Sequence, residues 1–259
     1  AAESRQMQIQ LHDWSSLWGG VGLAGEPQAA AAEAVLEEAD AVLLRSVPAG
    51  SLEQVVFRMD LLQRLAESGV PVINTPKVYE LAVDKYLALA RLAAAGLPEP
   101  PTVVCHRASE AMAAFHRLGR DVVVKPLFGA EGFGIVRLTE EPVAARVFHG
   151  LEQTGAILYL QRYLEHDGSD RRLLVVGERV VAAMSRSAEG WPANVARGGT
   201  GRPLAPSPAL EALACRAARA LGAEIAGMDL VIEKSSGAPF VLEANGAPGW
   251  QTLSAVTGT

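Results

Sequence analysis

The chain has 259 residues, of which 49% are hydrophobic and 20% are charged, and it carries a formal net charge of −6. This composition is ordinary for a globular protein, and the length is enough to bury a full core in two or three lobes. The acidic balance argues against a nucleic-acid-binding surface. No uncharged apolar run reaches spanning length and no signal peptide is visible, so we expect a cytoplasmic protein without a membrane segment.

Cysteine and lysine are both used sparingly. Cys105 and Cys215 lie far apart in the sequence and in no metal-ligand spacing. They predict two buried free thiols in a reducing compartment. Only four of the 23 basic residues are lysines. This scarcity makes Lys85 and Lys125 candidates for a specific role.

The first hundred residues predict a parallel α/β lobe, in which strands alternate with helices. Residues 7–11 alternate like a half-buried strand, residues 29–39 form a helical run, and residues 40–44 predict a buried strand. Residues 51–68 carry apolar side chains at helical spacing, and residues 70–73 form a short strand. Such a lobe usually begins with a strand and a helix, and the chain begins without methionine. We therefore expect a strand and most of a helix to be missing upstream.

A helix predicted from Thr75 to Gly96 links this lobe to the rest of the chain. The pair Asp84 and Lys85 falls in its middle, where a solvated charge pair on the outer face is the simplest explanation. The segment 97–101, LPEPP, predicts a rigid extended linker and a domain boundary. The predicted domains are 1–100, 101–164 and 165–259.

The stretch 121–137, DVVVKPLFGAEGFGIVR, predicts two antiparallel strands joined by a glycine-rich loop. Such a loop can bring backbone N–H groups up to a phosphate, and Lys125 on the strand before it can add a positive charge. This arrangement suits ATP. An ordinary glycine-rich hairpin with a snorkelling lysine explains the same residues. The pattern is neither a Walker A loop nor a Rossmann fingerprint.

The remaining segments predict a second, strand-rich part. Before the central stretch lie a strand at 102–105 and a helix capped by Ser109 that ends at Gly119. After it come a strand at 156–164, a hairpin of 171–176 with 179–184, a loop at 191–203, a helix from Ser207 to Gly222, and strands at 227–233 and 240–245.

Three oxygen-bearing side chains are predicted to converge on the last two strands. Glu243 and Asn245 point to one face, about 7 Å apart, and an antiparallel pairing would put Asp229 beside Glu243. Two carboxylates among apolar residues repel each other unless something positive lies between them. Oxygen ligands suit Mg²⁺, so we expect a metal site, although each acid can also be a strand-end residue in water.

With these residues in place, the chain resembles a known family, the ATP-grasp carboxylate–amine ligases. Within that family it resembles the α-L-glutamate ligases that include the ribosomal protein S6 modification enzyme. The resemblance covers residues 40–249 and rests on motifs in order: VDKY, VVVKP, GAEGFG, LQRYL, GSDRR, NVARGG, AGMDLV and LEANGAPG. It implies an α/β protein with α+β lobes, namely an ATP-grasp fold with an N-terminal Rossmann-like parallel-sheet lobe.

The resemblance also implies roles for individual residues in ATP binding. Lys85 and Lys125 would hold the phosphates, which overturns the solvated-pair explanation for Lys85, and Asp170 would take the ribose. The loop with Gly129, Glu131, Gly132 and Gly134 would close as a lid over the phosphates. The adenine would be lined, largely by backbone groups, by Gln161, Arg162 and Leu164.

For the metal and the acceptor, the resemblance implies two further groups of residues. Two Mg²⁺ ions, or Mn²⁺ in their place, would be bound by Asp229, Glu243 and Asn245. The acceptor side of the site would be formed by Arg172, Arg186, Asn194 and Arg197, for which surface arginines are the alternative. The hinge often carries Gln-Glu where this chain has Gln161-Arg162, and residues 192 and 193 also depart from the S6 enzyme.

The implied reaction is ATP-dependent ligation through an acyl phosphate. The amine would be the α-amine of L-glutamate, and the acceptor carboxylate would belong to a small-molecule cofactor or a protein C-terminus. Residues 51–60 and 248–250 look most like the tetrahydromethanopterin α-L-glutamate ligases. Ribosomal S6, a deazaflavin cofactor, an amino-group carrier protein, and an ATP-grasp protein that binds nucleotide without ligation stay open. The resemblance also suggests a homo-oligomer and a further helix beyond residue 259.

Overall fold

The computed structural model describes residues 7–24, 27–129, 133–187 and 200–258. The backbone contacts divide the chain into two compact units, Ala1–Lys77 and Val78–Thr259. Within the described residues, no helix has both the length and the apolar composition of a membrane span.

The first unit contains two small sheets. The first sheet is antiparallel and consists of β1 (Leu17–Gly19), β2 (Ala29–Ala31) and β3 (Ala34–Val35). The second sheet is parallel and pairs β4 (Val42–Leu43) with β5 (Val72–Ile73) across the helix α1 (Leu52–Glu67). Short 3-10 helices lie at Trp14–Ser16 and Leu36–Glu38.

The parallel pair confirms the predicted strand–helix–strand unit, including the helix that Ser51 caps with Gln54 as its capping-box partner. The strands are shorter than predicted, and Leu43 is 47% exposed although a buried strand was expected. The prediction of a strand at 7–11 is wrong, because these residues form no strand and Leu11 is 91% exposed. A Rossmann-like lobe is therefore reduced, in the described residues, to this one parallel pair.

The predicted helix at 29–39 is also wrong. Its first three alanines form a fully buried strand that pairs with Leu17–Gly19. The Glu37 carboxylate accepts hydrogen bonds from the N–H groups of Gln28 and Ala29, at 2.8 and 2.7 Å. Burial and these backbone contacts outweigh the high intrinsic helix propensity of alanine.

The predicted single helix over 75–96 is broken into two. Helix α2 covers Pro76–Val83 and helix α3 covers Lys85–Ala94. Asp84 lies in an extended conformation between them and caps α3, because its carboxylate accepts from the N–H groups of Tyr86 and Leu87. The break places Lys85 at the first position of α3, rather than in the middle of a helix.

The second unit begins with a four-stranded antiparallel sheet, which we call the central sheet. Its spatial order is β6 (Thr102–Cys105), β9 (Leu158–Arg162), β7 (Val122–Lys125) and β8 (Val136–Leu138). Helices α4 (Ala108–Arg117) and α5 (Glu141–Gln153) cover one face, where Phe115 and Phe148 meet edge to face. The predicted pairing of β7 and β8 is confirmed, whereas α4 is capped at Arg107 and not at Ser109.

A five-stranded antiparallel sheet, the C-terminal sheet, follows in the same unit. Its spatial order is β12 (Thr200–Pro203), β11 (Arg179–Ser187), β10 (Ser169–Val176), β13 (Ile225–Ile232) and β14 (Pro239–Asn245). Helices α3 and α6 (Pro208–Leu221) contribute to one core with β10, β13 and β14. The predicted hairpin, the Ser207 cap and the left-handed Gly222 after α6 are confirmed. The chain ends in the short helix α7 (Gln251–Thr257).

Two further expectations change in the structure. The boundary between compact units falls after Lys77, and the segment 97–101 is tied to the C-terminal sheet, since the Pro98 carbonyl accepts from the Val241 N–H at 2.9 Å. The three-domain division stays a prediction. Both cysteines are free, as predicted, but they are half-buried and not buried.

Candidate active site

Lys125 ends strand β7 and points toward the C-terminal sheet. Its ammonium donates to Gln161 Oε1 at 2.7 Å, and Gln161, which is 2% exposed, donates in turn to Thr102 Oγ1 at 3.1 Å. Burial is the largest influence on the pKa of Lys125 and lowers it below the ordinary value, the charge of Glu243 opposes this, and Lys85 adds to it. Lys125 is therefore a fixed cation that lies within electrostatic reach of Lys85 and Glu243.

Lys85 brings a second ammonium group to the same place. Its Nζ lies 3.8 Å from Glu243 Oε1 and donates to the Gly129 carbonyl at 2.6 Å. The side chain is only 10% exposed. The solvated-pair explanation of Lys85 is therefore wrong. The cap at Asp84 is the local cause, because it starts α3 at the residue that must face the site.

The glycine-rich loop begins and ends in conformations that glycine favours. Gly129 has φ +127° and Gly134 has φ +71°. A Cβ at Gly134 would also lie 2.9 Å from Pro126 Cγ, so this position has room only for glycine. The two flanking aromatic side chains, Phe128 and Phe133, are 61% and 63% exposed. Glu131 and Gly132 lie outside the described residues.

The predicted carboxylate face is confirmed as geometry. In the register of β13 and β14, Asp229 pairs with Glu243 and Gly227 pairs with Asn245. Gly227 is needed here for packing, because a Cβ on it would lie 2.9 Å from Pro248 Cβ. No three His, Cys, Asp or Glu side chains gather into a metal-binding group among the described residues. A metal site here would therefore depend on the Asn245 amide together with the two acids.

Arginines neutralise Asp229, which the sequence prediction did not anticipate. Arg172 forms a two-pronged ion pair with both carboxylate oxygens of Asp229, and Arg186 Nη2 lies 3.0 Å from Asp229 Oδ2. Arg186 also donates to both oxygens of Asp170, at 2.6 and 2.8 Å. We call these four side chains the buried ion cluster. Since Arg186 is 4% exposed, the surface-arginine explanation is wrong for this residue.

The two acids of the buried ion cluster titrate in opposite directions. Burial alone would raise the pKa of Asp229, but Arg172 and Arg186 outweigh it and lower that pKa to about 2. Burial raises the pKa of Asp170 to about 6, against the opposing effect of Arg186 and with help from the Asp229 charge. The physical difference is that Asp229 has two guanidinium partners, whereas Asp170 shares one of them.

The chain connects the two sheets from the last residue of β9 onward, and we call residues 162–165 the hinge. The Arg162 and Tyr163 N–H groups donate to the Pro101 and Asp121 carbonyls, at 2.8 and 2.9 Å. The Arg162 side chain points toward Glu233, with 3.6 Å between Nη2 and Oε1. Leu164 is buried.

The structure thus brings most of the predicted site residues together in the second unit. The cations Lys85, Lys125, Arg172 and Arg186 converge on the acids Asp170, Asp229 and Glu243, which leaves one more cation than carboxylate. Asn194 and Arg197 lie outside the described residues. The sequence reasoning missed the role of Gln161 as the partner of Lys125, and the alternation along β9, which turns Tyr159 and Gln161 to one face, is the signal that could have found it.

Comparison with known proteins agrees with this geometry. Residues 82–259 match the model of the RimK-like ATP-grasp domain. The chain is 33% identical, over 84% of its length and 76% of the relative, to a tetrahydromethanopterin:alpha-L-glutamate ligase of Methanosarcina acetivorans. It is 32% identical, over 86% of its length and 74% of the relative, to a probable alpha-L-glutamate ligase of Mannheimia succiniciproducens.

A solved structure shows the same fold. It is the ATP-grasp ligase PsnB in complex with a minimal precursor, Mg and ADP, which matches with a TM-score of 0.75 at 20% identity. The match covers 99% of this chain and 86% of PsnB. At this level of identity, the likeness concerns the fold alone.

Proposed function

Because the chain belongs to the RimK-like ATP-grasp family and is a ligase by that membership, we propose that it joins L-glutamate, through its α-amine, to an acceptor carboxylate. The observation that carries the proposal is the convergence of Lys85 and Lys125 on Glu243, beside the buried ion cluster. Lys85 on helix α3 and Lys125 on the central sheet meet Glu243 on the C-terminal sheet, in the arrangement that a triphosphate would need.

The two lysines are proposed to bind the phosphates of ATP. Both ammonium groups are held by oxygen atoms of the chain, at Gly129 and Gln161, so they are already oriented before any ligand arrives. The loop between Gly129 and Gly134 would cover the phosphates, the hinge and Gln161 would line the adenine, and Asp170 would face the ribose. In this arrangement, the negative charge of the phosphates would be neutralised by Lys85, Lys125 and the metal.

The residues present fit magnesium, with one restriction. Glu243, whose side chain is 29% exposed, and Asn245 offer oxygen atoms of the kind that Mg²⁺ prefers. A carboxylate has about four lone-pair sites, and Asp229 uses three of them on Arg172 and Arg186. We therefore propose Glu243 and Asn245 as the main ligands and Asp229 as a ligand through at most one lone pair. The metal would supply charge neutralisation of the phosphates.

The proposed chemistry needs no nucleophile from the protein. An oxygen of the acceptor carboxylate attacks the γ-phosphorus of ATP, and ADP leaves. The amine of glutamate then attacks the acyl carbon, inorganic phosphate leaves, and the amine loses its extra proton. Arg172 and Arg186, which border the carboxylate face, would stabilise the negative charge that develops on the phosphoryl and acyl oxygens.

For the acceptor, we propose the terminal carboxylate of a tetrahydromethanopterin-type cofactor. The support is the identity of 33% to a ligase named for this acceptor, together with the sequences of residues 51–60 and 248–250. Protein and peptide acceptors use the same chemistry and differ only in what must be bound. An experiment therefore has to test the identity of the acceptor separately from the ligase activity.

Incubation with ATP, Mg²⁺, glutamate and one acceptor at a time tests the proposal. The acceptors are a reduced pterin cofactor with a terminal carboxylate, a deazaflavin cofactor, and a peptide with the C-terminus of ribosomal S6. We expect ADP release that requires both glutamate and the pterin, and a product heavier by one glutamyl residue. Turnover only with another acceptor would refute the pterin assignment. ATP binding without turnover on any acceptor would refute the ligase.

The test variant is Lys125→Met, which removes the charge and keeps a long apolar side chain. It should abolish ADP release with every acceptor. The matched control is Arg219→Gln, which also removes one positive charge, from an exposed ion pair with Glu178, and should leave ADP release unchanged.

A further inference from the structure

Three side chains outside the phosphate and metal candidates meet at the end of the central sheet. Arg137 on β8 donates from Nε and Nη2 to the two carboxylate oxygens of Asp121, at 2.8 and 2.7 Å. The same guanidinium lies over the ring of Tyr163, with its carbon 3.5 Å from the ring centroid. We call Asp121, Arg137 and Tyr163 the hinge clamp.

The topology of the sheet explains why these residues meet. Strand β7 lies between β8 and β9, and Val122 pairs with Leu138 on one side and with Arg162 on the other. Asp121, just before β7, therefore stands between Arg137 and Tyr163. Its carbonyl accepts the Tyr163 N–H at 2.9 Å while its carboxylate holds Arg137. Asp121 thus fixes both the backbone of Tyr163 and the cation that covers its ring.

The C-terminal sheet holds the same segment from the other side. The Lys234 N–H donates to the Glu165 carbonyl at 2.7 Å, and Lys234 Nζ lies 3.1 Å from Glu165 Oε1. The hinge is therefore attached to both sheets, and its aromatic ring, that of Tyr163, lies under Arg137 and has its centroid 5.7 Å from that of the His166 ring.

We propose that Arg137, anchored by Asp121, is a positioning residue for the nucleobase of the bound nucleotide. The inference rests on the proposed function in one respect, namely that adenine lies along Arg162 to Leu164. Hydrogen bonds to a base edge depend on backbone positions held to within about 0.5 Å. The clamp sets those positions through Tyr163, whereas the lysines that would hold the phosphates are bonded elsewhere, Lys85 to Gly129 and Lys125 to Gln161. It therefore acts on recognition of the base and leaves phosphate binding unchanged.

Because the ion pair of the clamp is partly exposed, a role in nucleotide binding can be separated from a role in folding. The Arg137 and Asp121 side chains are 38% and 37% exposed, so their ion pair contributes little to stability. Variants should therefore fold, and their effect should appear in ligand binding. Arg137→Lys keeps the charge but loses the planar fork that both spans the carboxylate and stacks on the ring. Asp121→Asn keeps the shape and the carbonyl but loses the anchoring charge.

The test is calorimetric binding of two probes to the full chain with Mg²⁺, namely ATP and inorganic tripolyphosphate, which has no base. Arg137→Lys, Arg137→Gln and Asp121→Asn should each weaken ATP binding by about two- to tenfold. Tripolyphosphate binding should stay unchanged in all three, and the preference for ATP over GTP should shrink. Lys125→Met should weaken both probes, and Arg219→Gln should change neither.

Three results would overturn the inference. These are equal weakening of ATP and tripolyphosphate in the clamp variants, no change in either probe, or a wild-type chain that does not bind ATP. Melting temperatures of the variants supply the readout for a merely structural role, because a variant that loses structure has a lower melting temperature and gives the first of these results. A wild-type chain that binds ATP but ligates nothing would end the proposed ligase function and leave the clamp measurable.

Discussion

The buried ion cluster gives a prediction whose size follows from the structure. We expect Arg186→Met to be strongly destabilising, because Arg186 is 4% exposed and is bonded to the carboxylates of both Asp170 and Asp229. Removal of one partner of a buried ion pair costs about 3–5 kcal/mol, since the remaining charge stays buried without compensation. Asp229 keeps Arg172, so the loss falls mainly on Asp170, whose pKa burial already raises to about 6.

The loss of unfolding free energy in Arg186→Met should depend on pH in a defined direction. Asp170 has a folded-state pKa raised above its ordinary value of 3.8, so the folded state holds its proton more tightly than the unfolded state does. The stability that comes from this proton is present below about pH 4 and is lost as pH rises through about 6. Arg186 lowers this pKa, and its removal raises it further. The difference in unfolding free energy between wild type and variant should therefore shrink as pH falls from 7 toward 5.

The assay is urea unfolding followed by circular dichroism at pH 7 and pH 5, with calorimetry for the melting temperature. For a unit of this size, about 3–5 kcal/mol corresponds to a decrease of roughly 6–20 °C. The double variant Arg186→Met with Asp170→Leu should recover much of the loss, because apolar replacement of both partners is nearly neutral. A loss below about 1 kcal/mol, the value for an exposed pair, would refute the reasoning. So would a deficit that does not change with pH.

Three further predictions follow from single contacts. The pKa of Lys125 is lowered from its ordinary value of 10.5, so ATP affinity should fall as the pH is raised, with a midpoint below 10.5. Lys125→Arg should remove that fall, and a variant whose ATP affinity falls with pH as in the wild type would contradict the assignment. Gly134→Ala should reduce ATP affinity and also lower the melting temperature, since a Cβ there would meet Pro126 at 2.9 Å and φ is +71°, which strains the folded loop. Equal affinity of the variant and the wild type by calorimetry would count against the lid. Phe148→Ala should cost about 3–5 kcal/mol in urea unfolding, because the ring is fully buried against Phe115, and a loss below about 1 kcal/mol would argue against this core.

The second unit was largely predictable because its local signals agree with its tertiary contacts. Ser207 and Gly222 bound helix α6, and the turn at 234–238 makes β13 and β14 antiparallel neighbours, while a register shift between Asp229 and Leu230 sets Asp229 opposite Glu243. The alternation along β14 places Asn245 two residues further on the same face. The helix bounds, the hairpin and the alternation depend on neighbours within a few residues, which a sequence records directly, whereas the register shift at Asp229 was not predicted.

The failures occur where distant contacts decide. Residues 29–31 read as a helix from their alanine content, but they are buried as a strand against 17–19, which lies beyond a loop that has no predictive pattern. The break at Asp84 was missed because an aspartate in a long apolar helix is usually exposed. Only the resemblance indicated that Lys85 has to face the site, and the capping bonds of Asp84 show how the chain achieves it.

The carboxylate face shows how a correct physical premise led to an incomplete conclusion. Two acids among apolar neighbours do require positive charge, and the sequence prediction assigned all of it to metal. In the fold, strand β10 pairs with β13 and puts Arg172 directly opposite Asp229, so one acid is neutralised within the sheet itself. Glu243 on the next strand faces Lys85 at 3.8 Å, a distance that leaves its oxygens open to a stronger cation. The two acids, which the sequence prediction treated alike as metal ligands, are therefore different. Asp229 is bonded to arginines of the same sheet, whereas Glu243 can exchange its distant partner Lys85 for a ligand.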